Sequence, residues 1–282
     1  MNEAEFIAAL RTLPLHPGAE GLRDDTATLA IGGETLILTH DAIAEGVHYR
    51  PGTDPFDIAW KLVAVNLSDL AAKGATPLGV LIGAVLVEGA ERFVEGLRAI
   101  LTEYAVPLLG GDTISVRPAT FGCTAIGRAG AAVPRRDGGR AGDALWVTGT
   151  IGAAMLGFEA GDGPAYLRPR PRLAEGRALA PHVHAMMDVS DGLLLDASRL
   201  AEASGCTAEI ARAARGGHAD RHAGGRTGRS AAARRRGTRF PPGLPASLIR
   251  LRCGPPLDSL PIPGPLNRHT DRRGSISNRG RA

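Results

Sequence analysis

The chain contains 282 residues, of which 44% are hydrophobic and 22% are charged, a composition typical of globular proteins with room for two modest domains. The longest apolar run, at about 77–87, is too short to span a bilayer, and the acidic start Met1–Glu5 lacks the basic segment of a signal peptide. We therefore expect a cytoplasmic protein without a membrane partner.

Charge is distributed unevenly along the chain. Residues 1–211 contain 26 acidic and 17 basic residues, whereas residues 212–282 contain 3 acidic and 16 basic residues. The sequence therefore predicts an acidic body followed by a basic tail.

The first part of the chain predicts alternating strands and helices. Strands are expected at 26–31, 34–39, 78–87, 106–109 and 121–127, with helices at 55–73 and 88–104. The Gly32-Gly33 turn between the first two strands predicts a hairpin. Asp54 is placed to cap the first of these helices, Pro55 suits its first position, and Gly74 is placed to end it. These elements define a predicted N-terminal domain of residues 1–138.

Residues 139–211 predict part of a second domain. Strands are expected at 143–148, 185–189 and 206–211, and helices after the glycine turn 149–152, at 173–179 and at 191–203. Strands that alternate with helices are typical of α/β and α+β domains. The predicted fold class is therefore α+β or α/β, in two domains, with the second domain incomplete.

Residues 212–282 show no sustained periodicity. One hypothesis is a disordered basic arm that binds nucleic acid. The other is a shifted reading frame, since GC-rich codons read out of frame encode mainly Arg, Ala, Gly and Pro. We favour the second hypothesis, because the pattern breaks inside a well-patterned domain and Phe240 is the only aromatic residue of the tail.

Six aspartates lie in short turns rich in Gly, Ser and Thr at the ends of apolar runs. They are Asp25, Asp41, Asp69, Asp112, Asp188 and Asp191. Two carboxylates about 4 Å apart repel each other by roughly 4 kcal/mol at an effective dielectric constant near 20, so a converging set is tolerable only if it is protonated, spread apart or neutralised by hard cations. Mg²⁺ is usually held by a few carboxylates and by substrate phosphates, and the sequence therefore predicts metal-assisted phosphate chemistry.

The polar string Asn66, Ser68 and Asp69 interrupts the predicted helix near its C-terminal end, where a carboxylate is unfavourable against the helix dipole. Two interpretations remain open at this point. The string is either a solvated polar face or a set of ligands whose charge a cation offsets.

Covalent and lysine-based mechanisms have no support in the sequence. Lys61 and Lys73 are the only lysines, and neither has Walker A spacing; there is no nucleophile elbow either. The expected mechanism is direct in-line phosphoryl transfer without a catalytic side chain. Arg136 is able to offer bidentate contacts to phosphate, although a surface role fits it equally. The paired Gly110-Gly111 allows close backbone approach or positive φ, which fits a turn that cradles phosphate and also fits a plain turn.

Six motifs occur in one order along residues 1–211. They are Asp24-Asp25, Thr39-His40-Asp41, Gly46-Val47-His48, the helix string 64–71, Gly110-Gly111-Asp112-Thr113 and Asp188-Val189-Ser190-Asp191-Gly192. The ordered set closely resembles the thiamine-monophosphate kinase family of the aminoimidazole-ribonucleotide-synthetase-like ATP-binding superfamily. The resemblance implies phosphorylation of thiamine monophosphate by ATP with Mg²⁺, and a homodimer built through the N-terminal domains.

The resemblance also implies roles for individual residues. The implied magnesium ligands are Asp25, Thr39, His40, Asp41, Asp69, Asp112, Asp188 and Asp191. The implied ATP contacts are Gly111, Asp112, Arg136 and Ser190, and the implied substrate contact is His48.

This sequence departs from the family pattern at three places. His40 stands where the family commonly has Thr, and Gly21-Leu22-Arg23 replaces Gly-Ile-Gly. The family's Gly-Gly-(Asp/Glu)-Asp-Tyr-Glu-Leu segment and its closing aromatic residue have no counterpart in 212–282, so we expect an impaired substrate side.

Two alternatives belong to other functions. A superfamily relative that activates selenide or forms aminoimidazole ribonucleotide is disfavoured by the Asn66-Leu67-Ser68-Asp69 string. A non-catalytic nucleic-acid binder that uses the basic tail would lose binding steeply with added salt.

Overall fold

The computed structural model describes residues 1–209, except 87, 116 and 162, together with the backbone of two further strands at 227–234 and 249–252. Helix α1 (Glu3–Leu10) leads into the N-terminal domain. Its strands are β1 (Ala27–Ile31), β2 (Glu34–Ala44), β3 (Thr76–Val85), β4 (Leu108–Ile114) and β5 (Thr120–Arg128), and its larger helices are α2 (Pro55–Ala72) and α3 (Ala90–Glu103). Among the described residues, no helix is both long and apolar enough to cross a bilayer.

The first sheet has the strand order β1-β2-β5-β3-β4. The hairpin of β1 and β2 closes with Ile31 opposite Glu34, as the Gly32-Gly33 turn predicts. β3 and β4 run parallel, and the other neighbours run antiparallel. The inward positions of β2, beginning with Ile37, pack with Leu62 of α2 and Phe121 of β5 into one core. This core fixes which face of β2 is turned towards α2.

Helix α2 lies at the centre of the molecule, and all of residues 57–72 are buried. Its predicted ends are confirmed: Asp54 Oδ1 accepts a hydrogen bond from Phe56 N at 2.9 Å, and Pro55 occupies the first turn. Gly74 follows the helix with φ of 62°, a conformation that favours glycine. Because so little of α2 faces solvent, its polar residues must contact other protein groups or ligands.

The prediction of a turn at Gly110–Asp112 is wrong. These residues lie inside β4, where Gly111 is opposite Ile82 of the parallel strand β3. A Cβ at position 111 would lie 1.9 Å from the carbonyl oxygen of Ile82. The glycine therefore permits close strand approach, which local composition does not distinguish from a turn.

The second domain contains strands β6 (Ala144–Val147), β7 (Val183–Val189), β8 (Thr207–Glu209), β9 (Thr227–Arg234) and β10 (Ile249–Arg252), and helices α4 (Ala153–Ala160), α5 (Pro164–Leu167), α6 (Leu173–Leu179) and α7 (Leu193–Ala203). Its sheet has the order β7-β9-β6-β10-β8. β9 and β10 come from 212–282, where the sequence predicts no periodic structure; the rest of that tail, and the hypotheses built on it, lie outside the described residues.

The two domains meet along α2. A Cβ at Gly176 of α6 would lie 2.0 Å from the carbonyl oxygen of Ala71, so α6 approaches the end of α2 to backbone contact. Further along the helix, Trp60 Nε1 donates a hydrogen bond to the carbonyl oxygen of Pro169 at 3.1 Å. These contacts place the C-terminal half of α2 against β7, whose last residues carry part of the site.

Candidate functional site

Three carboxylates from distant parts of the chain converge at the junction of the domains. Asp25 precedes β1, Asp69 lies in the last turns of α2, and Asp188 lies near the end of β7. One oxygen of each lies within 4.8 Å of the others. Asp69 and Asp188 are each only 5% exposed, so solvent does little to screen their charges.

Burial and mutual repulsion raise two of these carboxyl pKa values. Burial raises the pKa of Asp69 well above its ordinary value, and the charges of Asp188, Asp41 and Asp25 raise it further. Burial likewise raises the pKa of Asp188, with contributions from Asp25, Asp196 and Asp41. Such a set favours either bound protons or a bound cation.

Short polar side chains orient the cluster. Thr39 Oγ1 donates to Asp69 Oδ2 at 2.6 Å, and Ser68 Oγ donates to Asp188 Oδ2 at 3.2 Å. Asn66 Oδ1 accepts from Asp41 N at 2.9 Å, which ties β2 to α2. The interpretation of the 66–69 string as a solvated face is therefore wrong, since Asn66, Ser68 and Asp69 are all buried.

Arg136 lies beside Asp25. Its Nη2 contacts Asp25 Oδ1. Burial opposes its charge, but the carboxylates of Asp25, Asp24 and Asp188 raise its pKa overall. No described residue hydrogen-bonds to the buried atoms Asp25 Oδ2 and Arg136 Nε.

The unpartnered atoms test whether a magnesium–phosphate group fits. A buried carboxylate oxygen without a donor suits a cation, and a guanidinium N–H without an acceptor suits a phosphate oxygen. The cluster also contains only oxygen ligands, which hard cations prefer. The residues present therefore fit Mg²⁺ with a phosphate ligand.

His48 is held in the turn that follows β2. Its Nδ1 accepts a hydrogen bond from Ala44 N at 2.9 Å, so the neutral ring carries its proton on Nε2. Its carbonyl oxygen accepts from Lys61 Nζ at 2.9 Å and from Tyr166 OH at 3.2 Å. The backbone of His48 is thus fixed by residues of both domains.

The loop after β7 holds Ser190 and Asp191. Asp191 Oδ2 lies 2.5 Å from Arg199 Nη1, and the N–H groups of Asp191 and Gly192 donate to Asp196 Oδ2, each at 3.0 Å. Asp196 is fully buried and so fixes this loop at the start of α7. Asp191 does not belong to the three-carboxylate group.

Two other predicted ligands lie on a different face or edge of the first sheet. His40 Nδ1 lies 2.9 Å from Thr124 Oγ1, on the face of β2 opposite Thr39 and Asp41, because successive side chains of a strand alternate. Asp112 lies on the outermost strand β4, exposed to solvent. Three strand spacings, roughly 14 Å, separate β4 from β2, so Asp112 and Gly111 are remote from the cluster of their own chain.

Comparison with known proteins shows the family of this chain. Residues 23–129 match the model of the AIR synthase related protein, N-terminal domain, and residues 140–222 match the corresponding C-terminal domain. The thiamine-monophosphate kinase of Methanospirillum hungatei is 36% identical over 219 residues, which cover 74% of each chain. The chain belongs to the thiamine-monophosphate kinase family.

Further relatives agree with that assignment. The thiamine-monophosphate kinase of Salmonella typhimurium is 38% identical over 213 residues, covering 67% of this chain and 64% of the relative. This chain therefore spans less than two thirds of that kinase's length. The structure of AaThiL complexed with AMPPCP and TMP superposes with a TM-score of 0.77 at 26% identity, covering 89% of this chain and 91% of the neighbour.

Sequence reasoning about the family motifs missed two residues beside the cluster. The motifs contain Asp24 only as the neighbour of Asp25, and Lys73 is only a lysine without Walker A spacing. Both are buried against each other, with Lys73 Nζ 2.5 Å from Asp24 Oδ1. The one available signal was a lysine directly after an apolar helix, which ordinarily indicates a solvated helix end.

Proposed function

We propose that this chain transfers the γ-phosphoryl group of ATP to the phosphate of thiamine monophosphate, which yields thiamine diphosphate and ADP. The observation that carries the proposal is the convergence of Asp25, Asp69 and Asp188 from both domains, with Arg136 beside them. The family membership and the AMPPCP and TMP held by AaThiL support the choice of substrates. We further propose a cytoplasmic location, since the reaction consumes ATP.

We propose that Asp25, Asp41, Asp69 and Asp188 hold Mg²⁺, with Thr39 and the backbone of His40 as weaker oxygen donors. Bound Mg²⁺ would neutralise charge on the nucleotide phosphates during in-line transfer. The protein's own part is to hold the buried carboxylates of Asp69 and Asp188, whose pKa values burial raises, beside those of Asp25 and Asp41. Asp191 would serve a further ion only after its contact with Arg199 is exchanged.

We propose that Arg136 binds a nucleotide phosphate through the donors that Asp25 does not use, together with the backbone near Ser190. A guanidinium retains its charge at any working pH, so it can replace the phosphate-binding lysine that this chain lacks. His48, with its proton on Nε2, would donate to the phosphate of thiamine monophosphate. The accepting phosphate would then be oriented by a donor fixed to both domains.

We also propose a homodimer through the first sheet. β4 has a neighbour on one side only among the described strands, and Leu108, Leu109 and Ile114 on it are each more than half exposed. An exposed apolar edge strand is a typical site of association. In such a dimer, Gly111 and Asp112 would serve the nucleotide site of the second copy, which accounts for their distance from the cluster in their own chain.

The test of the activity is direct. The purified full chain is incubated with ATP, Mg²⁺ and thiamine monophosphate, and thiamine diphosphate is separated by chromatography; thiamine replaces its monophosphate in a parallel reaction. We expect thiamine diphosphate only from the monophosphate, and none from Asp69→Asn. ATP hydrolysis without thiamine diphosphate, or an active Asp69→Asn variant, would contradict the proposal.

The shared site is tested by mixing two variants. Asp69→Asn and Asp112→Asn chains should each be inactive alone, whereas subunit exchange should restore about a quarter of the unaltered activity, because half of the dimers are mixed and each mixed dimer has one intact site. If both residues serve the same chain, every mixed dimer lacks an intact site and no activity returns.

A further inference from the structure

Lys73 forms a buried ion pair beside the carboxylate cluster. It caps the C-terminus of α2 and is 1% exposed. Its Nζ lies 2.5 Å from Asp24 Oδ1 and 3.4 Å from the carbonyl oxygen of Pro134. The desolvation of an ammonium group buried this deeply costs free energy, and a paired carboxylate is needed to offset that cost. Lys73 and Asp24 therefore hold each other in place.

The same carboxylate holds two functional residues by their backbones. Asp24 Oδ1 also accepts from Asp25 N at 2.9 Å, and Asp24 Oδ2 accepts from Arg136 N at 3.2 Å. Asp25 and Arg136 in turn contact each other through their side chains. One carboxylate therefore connects the end of α2, the loop before β1 and the segment that leads into the second domain.

We propose that Lys73 is a positioning residue that fixes Asp25 and Arg136 through Asp24. This inference rests on the proposed function, in which Asp25 is a metal ligand and Arg136 a phosphate contact. Without the ammonium group, the Asp24 carboxylate would be buried without a cation, and it would turn towards solvent. That movement removes an acceptor from Asp25 N or Arg136 N and leaves the metal-facing loop without its anchor.

Binding of Mn²⁺ alone, followed from the paramagnetic signal of the free ion, separates positioning from general stability. Lys73→Met keeps the apolar stem and removes the charge. Arg168→Met is the matched control, because Arg168 Nε lies 2.5 Å from Asp57 Oδ1 and Asp57 is buried at the opposite end of α2. Both variants leave a buried carboxylate without its cation, but only one lies beside the cluster.

We expect Lys73→Met to weaken Mn²⁺ binding by about 10- to 100-fold, the range found for groups that orient metal ligands. Arg168→Met should change the Mn²⁺ affinity by less than about twofold, although the melting temperature of this variant should fall. Unchanged Mn²⁺ affinity in Lys73→Met, or an equal loss in both variants, would overturn the proposal.

The double variant Lys73→Met/Asp24→Asn adds a second criterion. It removes the uncompensated charge, so its melting temperature should recover. The amide that replaces the Asp24 carboxylate has a single acceptor oxygen and cannot accept from both N–H groups in the same way, so Mn²⁺ affinity should remain low. Recovery of both properties would mean that neutrality alone matters and would overturn the positioning role. If Lys73→Met does not fold, Asp24→Asn breaks the same link, and unchanged affinity there has the same meaning.

The outcome is separable from that of the proposed function. Loss of Mn²⁺ affinity in Lys73→Met supports the positioning role even if the unaltered chain makes no thiamine diphosphate. If the unaltered chain binds no Mn²⁺, the positioning role fails together with the metal site.

Discussion

Replacing Asp69 by Asn should have opposite effects on stability with and without metal. The Asp69 carboxylate is buried, and oxygens of Asp25 and Asp188 lie within 4.8 Å of it. At that distance two unit charges repel by roughly 3.5 kcal/mol at an effective dielectric constant of 20. Proton uptake relieves much of this repulsion, so we expect the metal-free variant to gain about 1–3 kcal/mol, and a kilocalorie corresponds to roughly 2–4 °C in a domain of this size.

In saturating Mg²⁺, the unaltered chain should become more stable than Asp69→Asn. A cation present at a hundred times its dissociation constant stabilises the unaltered chain by about 2.7 kcal/mol, and a variant without the shared ligand should gain almost none of this. The measurement is thermal unfolding of both proteins by circular dichroism, in a chelator and in excess Mg²⁺. The two melting temperatures should cross between these conditions.

Asp196→Asn provides the matched control for a buried aspartate. Its carboxylate accepts two backbone N–H groups, and the loss of these bonds should outweigh the relief of its repulsion of Asp188, so the substitution should destabilise the chain by about 1–2 kcal/mol in either condition. If Asp69→Asn behaves in the same way and is less stable than the unaltered chain in the chelator, then repulsion does not dominate the cluster and the reasoning is refuted.

Two further predictions concern pH and the first sheet. Because the pKa values of Asp69 and Asp188 are raised in the folded chain, the folded state binds more protons than the unfolded state, and metal-free stability should fall as pH rises through those raised values. The increase in melting temperature caused by Mg²⁺ should therefore grow as pH rises through those raised values, and a pH-independent increase would contradict the assignment. Gly111→Ala would bring its Cβ 1.9 Å from the Ile82 carbonyl oxygen and should lower the free energy of unfolding in urea by about 1–3 kcal/mol or more. Gly83→Ala, whose Cβ would meet nothing closer than 3.7 Å, should be far milder, and equal losses would show that the contact with Ile82 is unimportant.

The elements that the sequence predicts well are those with local signals. Asp54, Pro55 and Gly74 mark both ends of α2, and Gly32-Gly33 marks the first hairpin, because each acts on its own neighbouring backbone. The Gly110–Asp112 segment has the same composition as a turn, but its conformation is decided by pairing with β3, a contact distant in sequence. Local composition does not indicate which strand will pair with this segment.

The site residues also divide into those with a local sequence signal and those placed by distant contacts. The ordered motifs pointed to Asp25, Asp69 and Asp188, which the structure brings together. Strand alternation in β2 already implies that His40 faces away from Asp41, so this separation could have been read from the sequence. The pairing of Lys73 with Asp24 could not have been predicted from the sequence, because the partners are 49 residues apart and no local pattern at either residue indicates the other.

The position of the cluster explains why both domains are needed for the proposed chemistry. Asp69 belongs to the N-terminal domain and Asp188 to the second, and Ser68 bonds directly across this junction. A carboxylate cluster binds a cation tightly only when its oxygens are held within about half an ångström of the binding geometry. The backbone contact of Gly176 with α2 therefore affects metal affinity as well as packing. Any change that shifts α6 against α2 should therefore weaken metal binding before it unfolds either domain.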